Sequence, residues 1–200
     1  MERAGLLIIL TGKTASGKDT IKNLLSKQYP GLNKLITTTS RTKRPGEIDG
    51  QDHYFLTRKE FENKIAKGIF AEYVEYGGNL YGTQKTELEK ALKNDTIWRI
   101  DPSRAGEVRN FIKRFYSAEI AEKLIKRVLV IYITVSDEIV LQRLKKRGLT
   151  EEEIQKRMAD DQKIWQQYQD SYDFVIENVP GKLDETVDKI VNIIKNRAYT

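Results

Sequence analysis

Apolar runs alternate with helical patterns along most of the chain. Apolar runs predict strands that are covered on both faces at residues 6–10, 96–101 and 128–135. Residues 34–39 and 173–177 are typical of two further strands. Helical spacing of apolar positions follows at about residues 21–29, 102–125, 137–147, 151–169 and 183–196. Strands that alternate with helices predict an α/β fold, a doubly wound parallel five-stranded sheet with helices on both faces.

Residues 41–92 interrupt this alternation. Short strand patterns at residues 53–56, 70–76 and 79–83, with Gly77-Gly78 as a hairpin turn, predict an inserted small β-rich subdomain. Further along, basic residues surround Gly148, and Thr150 with Glu153 forms a capping box that begins a helix, so we interpret this segment as a mobile basic lid.

The predicted organisation is therefore one domain of 200 residues. Its core comprises residues 1–36, 93–142 and 160–200, the subdomain residues 37–92, and the lid residues 143–159.

Composition restricts the chemistry. The chain has no cysteine and one histidine, His53, which excludes disulfides, thiolate metal sites and histidine-rich zinc centres. Lysine and arginine number 35 against 29 acidic residues, a formal charge of +6 that suits either a polyanionic partner or a solvated basic surface. The apolar runs are too short to span a bilayer, and we expect a cytoplasmic protein with no membrane partner.

The stretch GKTASGKDT, residues 12–20, has the spacing of a phosphate-binding loop, with Gly12, Gly17 and Lys18 in place. The residue after the lysine is normally Ser or Thr, but Asp19 stands there and Thr20 comes one position later. The pattern alone is weak. A buried strand before it and a helix after it favour an anion site over a glycine-rich turn with a solvated lysine.

Two longer motifs follow the loop: TTTSRTKRPGEIDGQDH at residues 37–53 and FAEYVEYGGNLYGT at residues 70–83. Together with the loop they resemble the guanylate kinases, over nearly the whole chain. The resemblance implies a P-loop kinase fold and ATP-dependent phosphorylation of GMP and dGMP, with Mg²⁺ as cofactor. We expect ATP and GMP or dGMP as partners, no nucleic acid, and a monomer or homodimer.

The resemblance also implies an acceptor site. Arg41 and Arg44 would clamp the GMP phosphate with help from Tyr81, and Glu72 would accept hydrogen bonds from guanine N1–H and the 2-amino group. The remaining implied GMP-binding residues are Thr37, His53, Thr83 and Asp101. The residues themselves leave plainer alternatives open: solvated loop arginines, a polar position on an alternating strand at Glu72, and a helix N-cap at Asp101, before Pro102.

The implied donor site uses the glycine loop, with Asn178 near the ATP base and the lid arginines Arg147 and Arg157 over the transferred phosphoryl group. Its loop residues are Gly12, Lys13, Thr14, Ala15, Ser16, Gly17, Lys18, Asp19 and Thr20. Lys18, Arg41, Arg147 and Arg157 are the implied catalytic residues, and Asp19 and Thr20 the candidate metal ligands. Without the resemblance, solvated lid charges remain the alternative for both lid arginines.

The chain departs from the family pattern at three places. His53 stands where the family usually has tyrosine, Arg99 replaces an aspartate, and Ser103-Arg104 replace Gln-Gly. We hypothesise that Asp19 takes over the charge lost at position 99, either by pairing with Arg99 or by holding a metal-bound water, with Thr20 supplying the hydroxyl.

These departures keep other functions open. The alternatives are a kinase for another nucleoside monophosphate, a catalytically silent guanylate-kinase-like domain that binds proteins, and, third, a nucleic-acid binder.

Overall fold

The computed structural model describes residues 5–76, 78–90 and 93–198. Gly77 of the predicted hairpin turn and residues 91–92 of the predicted subdomain lie outside the described residues, as do residues 1–4 and 199–200.

Strands in the described residues are, in chain order, β1 (Leu7–Gly12), β2 (Asn33–Lys34), β3 (Thr38–Thr39), β4 (Tyr54–Phe55), β5 (Phe70–Tyr76), β6 (Asn79–Gln84), β7 (Thr96–Arg99), β8 (Val128–Thr134) and β9 (Phe174–Glu177). A five-stranded sheet has the order β2-β7-β1-β8-β9, and both β2 with β7 and β8 with β9 pair in parallel. Every residue of β1 is buried, as the continuous apolar run predicts for a strand covered on both faces.

Helices are α1 (Lys18–Gln28), α2 (Arg58–Ala66), α3 (Lys85–Glu89), α4 (Pro102–Phe115), α5 (Ala118–Lys126), α6 (Asp137–Lys146), α7 (Glu151–Tyr168) and α8 (Leu183–Ala198). A 3-10 turn, Gln169–Ser171, follows α7. Their alternation with the strands of the five-stranded sheet confirms the predicted α/β class. In the part of the chain that the structure describes, no helix is long and apolar enough to cross a membrane.

The predicted continuous helical pattern at residues 102–125 is wrong, because α4 ends at Phe115 and a separate helix, α5, begins at Ala118. Ser117 has an extended backbone, φ −57° and ψ 153°, and stands at the N-cap position of α5. Serine favours this position over the helix interior, and this preference is the local signal for the break.

The predicted strand at residues 34–39 is also wrong, since β2 and β3 belong to different sheets. Between them the backbone N–H of Ile36 donates to the Glu87 carboxylate at 3.0 Å instead of joining a strand ladder. A side chain thus satisfies the backbone where the chain leaves one sheet for the other.

A second sheet has the order β4-β3-β6-β5, with β5 and β6 antiparallel. The predicted strands here are confirmed with small shifts, since β4 is shorter than residues 53–56 and β6 continues to Gln84. The helices α2 and α3 were not predicted within this segment. The signal for α2 is a capping box, in which the Thr57 hydroxyl accepts from the Glu60 N–H and the Glu60 carboxylate from the Thr57 N–H.

The chain forms two compact units. Among the described residues, unit 1 comprises 5–7, 33–76, 78–90, 93–98 and 110–127, and includes the described part of the predicted subdomain. Inside it Phe61 and Phe70 stack with ring centroids 4.3 Å apart, packed with Leu80. Unit 2 comprises the described residues 8–32, 99–109 and 128–198, and includes the glycine loop and the whole predicted lid.

Candidate active site

The glycine loop of unit 2 joins the end of β1 to the start of α1. A Cβ on Gly12 would lie 2.0 Å from the Ile133 carbonyl oxygen, so no other residue fits there. Gly17 caps α1 with φ 90°, a left-handed conformation that glycine adopts without strain. The loop therefore turns directly into a helix N-terminus, where backbone N–H groups and the helix dipole favour an anion.

Lys18 folds back onto the loop. Its ammonium donates to the carbonyl oxygens of Gly12 at 2.8 Å and Lys13 at 2.6 Å. Burial, followed by the charge of Arg99, lowers the pKa of Lys18 to about 8, against the opposing charges of Asp161 and Asp19. The side chain remains a cation at neutral pH and lies against the glycine loop.

Two distant side chains hold other carbonyls of the loop. Arg143 on α6 donates to the Ala15 oxygen at 2.7 Å, and the Asn178 amide donates to the Ser16 oxygen at 2.8 Å. Asn178 was predicted near the ATP base, and its contact with Ser16 gives it a role in positioning the loop. The base contact stays a prediction.

Asp161 on α7 was not predicted as a site residue. Its carboxylate accepts from the Thr14 backbone N–H at 2.8 Å, and only 9% of the residue is exposed. Burial raises the pKa of Asp161, while the hydrogen bond from Thr14 and the charges of Lys18 and Lys13 oppose that rise. No sequence signal marks this residue, because its contact spans 147 positions of the chain.

A cavity of about 520 Å³ lies beside the loop in unit 2. Lys13 and Asp161 line it, together with Thr134, Asp137 and Trp165. Lys13 is fixed there by an ion pair with Asp137 and a hydrogen bond to the Val135 oxygen at 3.3 Å.

The structure brings Asp19 and Arg99 together. Arg99 Nε lies 3.2 Å from Asp19 Oδ1, and Arg99 Nη2 donates to Asp19 Oδ2 at 3.3 Å. This is the pairing that the substituted residues at positions 19 and 99 suggested. Thr20 is exposed beside this pair, on the first turn of α1.

Asp19 and Thr20 are the predicted metal ligands, and their exposed oxygen atoms are of the kind that Mg²⁺ accepts. Within residues 5–76, 78–90 and 93–198, no three histidine, aspartate or glutamate side chains cluster as a metal site. A Mg²⁺ ion here would need phosphate and water oxygens as further ligands, as is usual for this ion.

Both lid arginines are exposed. Arg147 follows α6 directly, and its positive charge contributes to the lowered pKa of Lys18. Arg157 lies on α7, which begins with the predicted capping box between Thr150 and Glu153.

Asp101, in unit 2, caps α4. Its carboxylate accepts from the Ser103 hydroxyl at 2.6 Å and from the Arg104 N–H at 3.2 Å. The N-cap alternative is thereby observed, and a contact with the acceptor nucleotide stays a prediction.

In unit 1, Glu47 organises the two predicted arginines. It accepts from the Arg41 guanidinium at 2.7 Å and from the Arg44 backbone N–H at 2.8 Å. These contacts, the Arg41 hydrogen bond first, lower the pKa of Glu47 to about 2. Glu47 lies inside the motif at residues 37–53 but was given no role, although an acidic side chain shortly after two arginines was the available signal.

Arg41 is fixed from several sides. Its guanidinium carbon lies 5.6 Å from the centre of the Phe55 ring, and its Nη1 donates to the Thr42 oxygen at 2.7 Å. The hydrogen bond from Arg41 to Glu47 and the nearby Tyr81 hydroxyl raise the pKa of Arg41, so the cation is permanent. The structure thus brings the predicted phosphate ligands Arg41 and Tyr81 together.

His53 and Thr37 form a second predicted pair, with His53 Nδ1 2.8 Å from the Thr37 hydroxyl. Burial, followed by the charge of Arg41, lowers the pKa of His53 below its ordinary value. The imidazole is therefore neutral at pH 7, and the nearby positive charge of Arg41 disfavours its protonation.

Glu72 and Thr83 are direct partners across β5 and β6. The Thr83 hydroxyl donates to Glu72 Oε1 at 2.7 Å, and Thr83 is completely buried. A carboxylate has about four acceptor positions, so Glu72 keeps capacity for further donors while Thr83 fixes its orientation.

Glu87 is a further buried carboxylate of unit 1 that the sequence reasoning missed. It accepts from the Ile36 N–H at 3.0 Å, the Tyr54 hydroxyl at 2.9 Å and the Lys90 ammonium at 2.5 Å. The burial of Tyr54 and its hydrogen bond to Glu87 raise the pKa of Tyr54 to about 12. Glu87 therefore holds the backbone at Ile36, directly before Thr37 and a few residues before Arg41 and Arg44.

Comparisons with known proteins agree with these motifs. A family model for guanylate kinase matches residues 4–197. The guanylate kinase of Symbiobacterium thermophilum is 38% identical, over 87% of this chain and 78% of that protein. That of Oceanobacillus iheyensis is 33% identical, over 98% of this chain and 89% of that protein.

A solved structure agrees as well. The crystal structure of guanylate kinase from Anaplasma phagocytophilum has a TM-score of 0.65 and 25% identity, over 100% of this chain and 89% of that one. The chain therefore belongs to the guanylate kinase family.

Proposed function

We propose that this protein is an ATP-dependent guanylate kinase that converts GMP and dGMP to GDP and dGDP. An oxygen of the acceptor phosphate forms a bond to the γ-phosphorus of ATP, and the bond from that phosphorus to the β–γ bridging oxygen breaks, releasing ADP. The observation that carries the proposal is the Glu72–Thr83 pair, because it supplies an oriented, half-buried carboxylate for a base with two adjacent N–H donors.

Base selection follows from hydrogen-bond chemistry. Guanine N1–H and its 2-amino group both donate, and Glu72 accepts. Adenine has neither donor and would leave the carboxylate without these bonds, which costs binding energy in a desolvated site. Thr83 and Thr37 add hydroxyl contacts to the purine in this proposal.

The acceptor phosphate is held by Arg41 and Arg44, with Tyr81 and His53. Guanidinium groups match phosphate oxygens with two parallel hydrogen bonds, and Glu47 already fixes Arg41 in position. Asp101 would help to orient the acceptor nucleotide from its place at the start of α4.

The donor phosphates are bound by the glycine loop, residues 12–20, and by Lys18. The loop geometry supports this role because helix α1 begins directly at the loop. Asn178 contributes by holding the loop, and Arg147 and Arg157 would close over the phosphoryl group as it transfers.

No covalent enzyme intermediate is needed. The cations of this chain align two mutually repelling anions and offset the charge that spreads over the transferred group, which is mostly positioning and electrostatics. Mg²⁺, when bound with ATP, neutralises phosphate charge, and Asp19 and Thr20 are the residues proposed to hold its ligand sphere. Because its substrates are cellular nucleotides, we also propose a cytoplasmic location.

A coupled assay of ADP release with GMP, dGMP, AMP and UMP tests the function. We expect activity with GMP and dGMP, little with AMP or UMP, and none with Lys18→Met. Equal rates with all four acceptors would refute the role of Glu72, and no acceptor-dependent ADP release would favour the silent protein-binding domain. Nucleic-acid affinity with a steep salt dependence would favour the third alternative.

A further inference from the structure

Arg99 has a fixed place at the edge of the glycine loop. It is the last residue of β7, and the next residue, Ile100, accepts a hydrogen bond from the buried Thr11 hydroxyl at 2.9 Å. Thr11 immediately precedes the glycine loop. The backbone that carries Arg99 is therefore tied to the strand that feeds the loop.

The Arg99 guanidinium reaches the first turn of α1. It forms two contacts with Asp19, at 3.2 and 3.3 Å. Besides burial, its positive charge also lowers the pKa of Lys18. The terminal phosphates of a nucleotide bound to the loop meet Lys18 at this position. Arg99 therefore lies within electrostatic reach of the same phosphates.

The contact with Asp19 is of the kind that exchanges easily. The Arg99 side chain is 45% exposed and the Asp19 side chain 68% exposed. An exposed ion pair contributes only about 0–1 kcal/mol. A phosphate group carries more charge than a carboxylate and also accepts two parallel bonds from a guanidinium, so it competes well for Arg99.

We propose that Arg99 binds the terminal phosphate of the donor nucleotide, and that Asp19 holds the guanidinium in place until the donor arrives. This inference rests on the proposed function and deepens it. Asp19 acts through Arg99 as a competing partner, because the donor phosphate must displace its carboxylate from the guanidinium, and its negative charge also opposes donor binding until Arg99 is transferred to the phosphate.

Calorimetric titration tests whether Arg99 binds the terminal phosphate. The ligands are ADP and a β,γ-imido analogue of ATP, each titrated in EDTA and without GMP. Arg99→Ala should weaken binding of the triphosphate analogue about tenfold, a shift of about 1.4 kcal/mol, and binding of ADP much less. Arg58→Ala is the matched control, since Arg58 is 49% exposed and forms surface ion pairs with Glu62 and Glu75.

A double-mutant cycle in the same buffer tests whether Asp19 acts on donor binding through Arg99. Asp19→Asn should tighten binding of the analogue about threefold, a shift of about 0.65 kcal/mol. If Asp19 acts through Arg99, this gain should shrink in the Arg99→Ala background. An unchanged gain would mean that Asp19 acts only by its own charge, and would overturn its proposed action through Arg99.

The outcomes separate this inference from the proposed function. If Arg99→Ala binds the triphosphate analogue like Arg58→Ala, or loses ADP affinity equally, the proposed contact of Arg99 with the terminal phosphate is wrong while the kinase function stands. If the wild-type protein binds neither nucleotide and releases no ADP with GMP, the proposed function itself fails.

Discussion

The Asp161 carboxylate accepts a hydrogen bond from the backbone N–H of Thr14 at 2.8 Å. An acidic side chain thus occupies one backbone donor of the loop that is proposed to bind the donor phosphates. Asp161 also belongs to α7, the helix that carries Arg157, so the bond links the phosphate loop to the helix of the predicted lid.

Replacing Asp161 separates its charge from its hydrogen bond. Asp161→Asn keeps an acceptor for Thr14 and removes a negative charge near the donor phosphates, so ADP should bind several-fold more tightly. Asp161→Ala removes the acceptor as well and should lower the free energy of unfolding by about 1–3 kcal/mol, because a part-buried N–H loses its partner. Calorimetry and thermal denaturation measure the two effects.

The neighbouring Asp160→Asn is the control, because Asp160 is exposed on the same helix. Equal effects of the two asparagine variants on ADP binding would assign the gain to general charge and contradict a local role for Asp161.

Glu72→Gln should reduce kcat/KM for GMP by at least about tenfold, because one charge-assisted hydrogen bond to guanine, worth about 1.5–3 kcal/mol, becomes impossible. The loss for AMP should be smaller, so discrimination between the two bases narrows. Steady-state rates with both acceptors measure this. Glu75→Gln provides the comparison, since Glu75 lies on the same strand and pairs with Arg58 at the surface; unchanged selectivity in Glu72→Gln would argue against a base contact.

Glu47→Gln should raise KM for GMP several-fold and change kcat little, because Arg41 loses the carboxylate that orients it before the phosphate binds. KM for ATP should stay constant. Initial rates with each substrate varied in turn distinguish this pattern. A fall in kcat without a change in KM for GMP would instead place Glu47 in the chemical step.

His53 should titrate below the ordinary pKa of about 6.5, since burial and the charge of Arg41 disfavour its protonated form. The unfolded chain then binds the proton more tightly than the folded chain. The stability contribution is therefore present above about pH 6.5 and is lost as pH falls through 6.5 towards the lower pKa of the folded state.

The NMR signal of His53 measures this pKa without overlap, since the chain contains one histidine. A dianionic phosphate bound beside it should raise the pKa, so titration with GMP should move the midpoint upwards. A midpoint above 6.5 in the ligand-free protein, or one that GMP leaves unchanged, would contradict the proposed position of His53 in the phosphate site.

Much of this architecture was predictable because its signals are local. The buried runs of β1 and β8 are continuous in sequence, and the glycine loop lies between a strand and a helix as its spacing indicates. The pairing of Asp19 with Arg99 was also suggested by sequence, because Asp19 adds and Arg99 removes a negative charge relative to the family pattern.

Other features depend on tertiary contacts that no local pattern encodes. The split between β2 and β3 follows from the bond between Ile36 and Glu87, which lie 51 positions apart. The contact of Asp161 with Thr14 likewise requires α7 to reach the loop. By contrast, α2 had a readable capping box at Thr57, which the strand interpretation of that segment overlooked.

The supports of the glycine loop bear on which triphosphates can serve as donors. Lys18, Arg143 and Asn178 bind its carbonyl oxygens, so contacts within the protein help to hold the loop in shape. If the loop binds the donor phosphates as proposed, these preformed contacts would serve a triphosphate chain whatever base it carries. Donor promiscuity is the consequence: GTP, CTP or UTP should replace ATP far more readily than AMP or UMP replaces GMP.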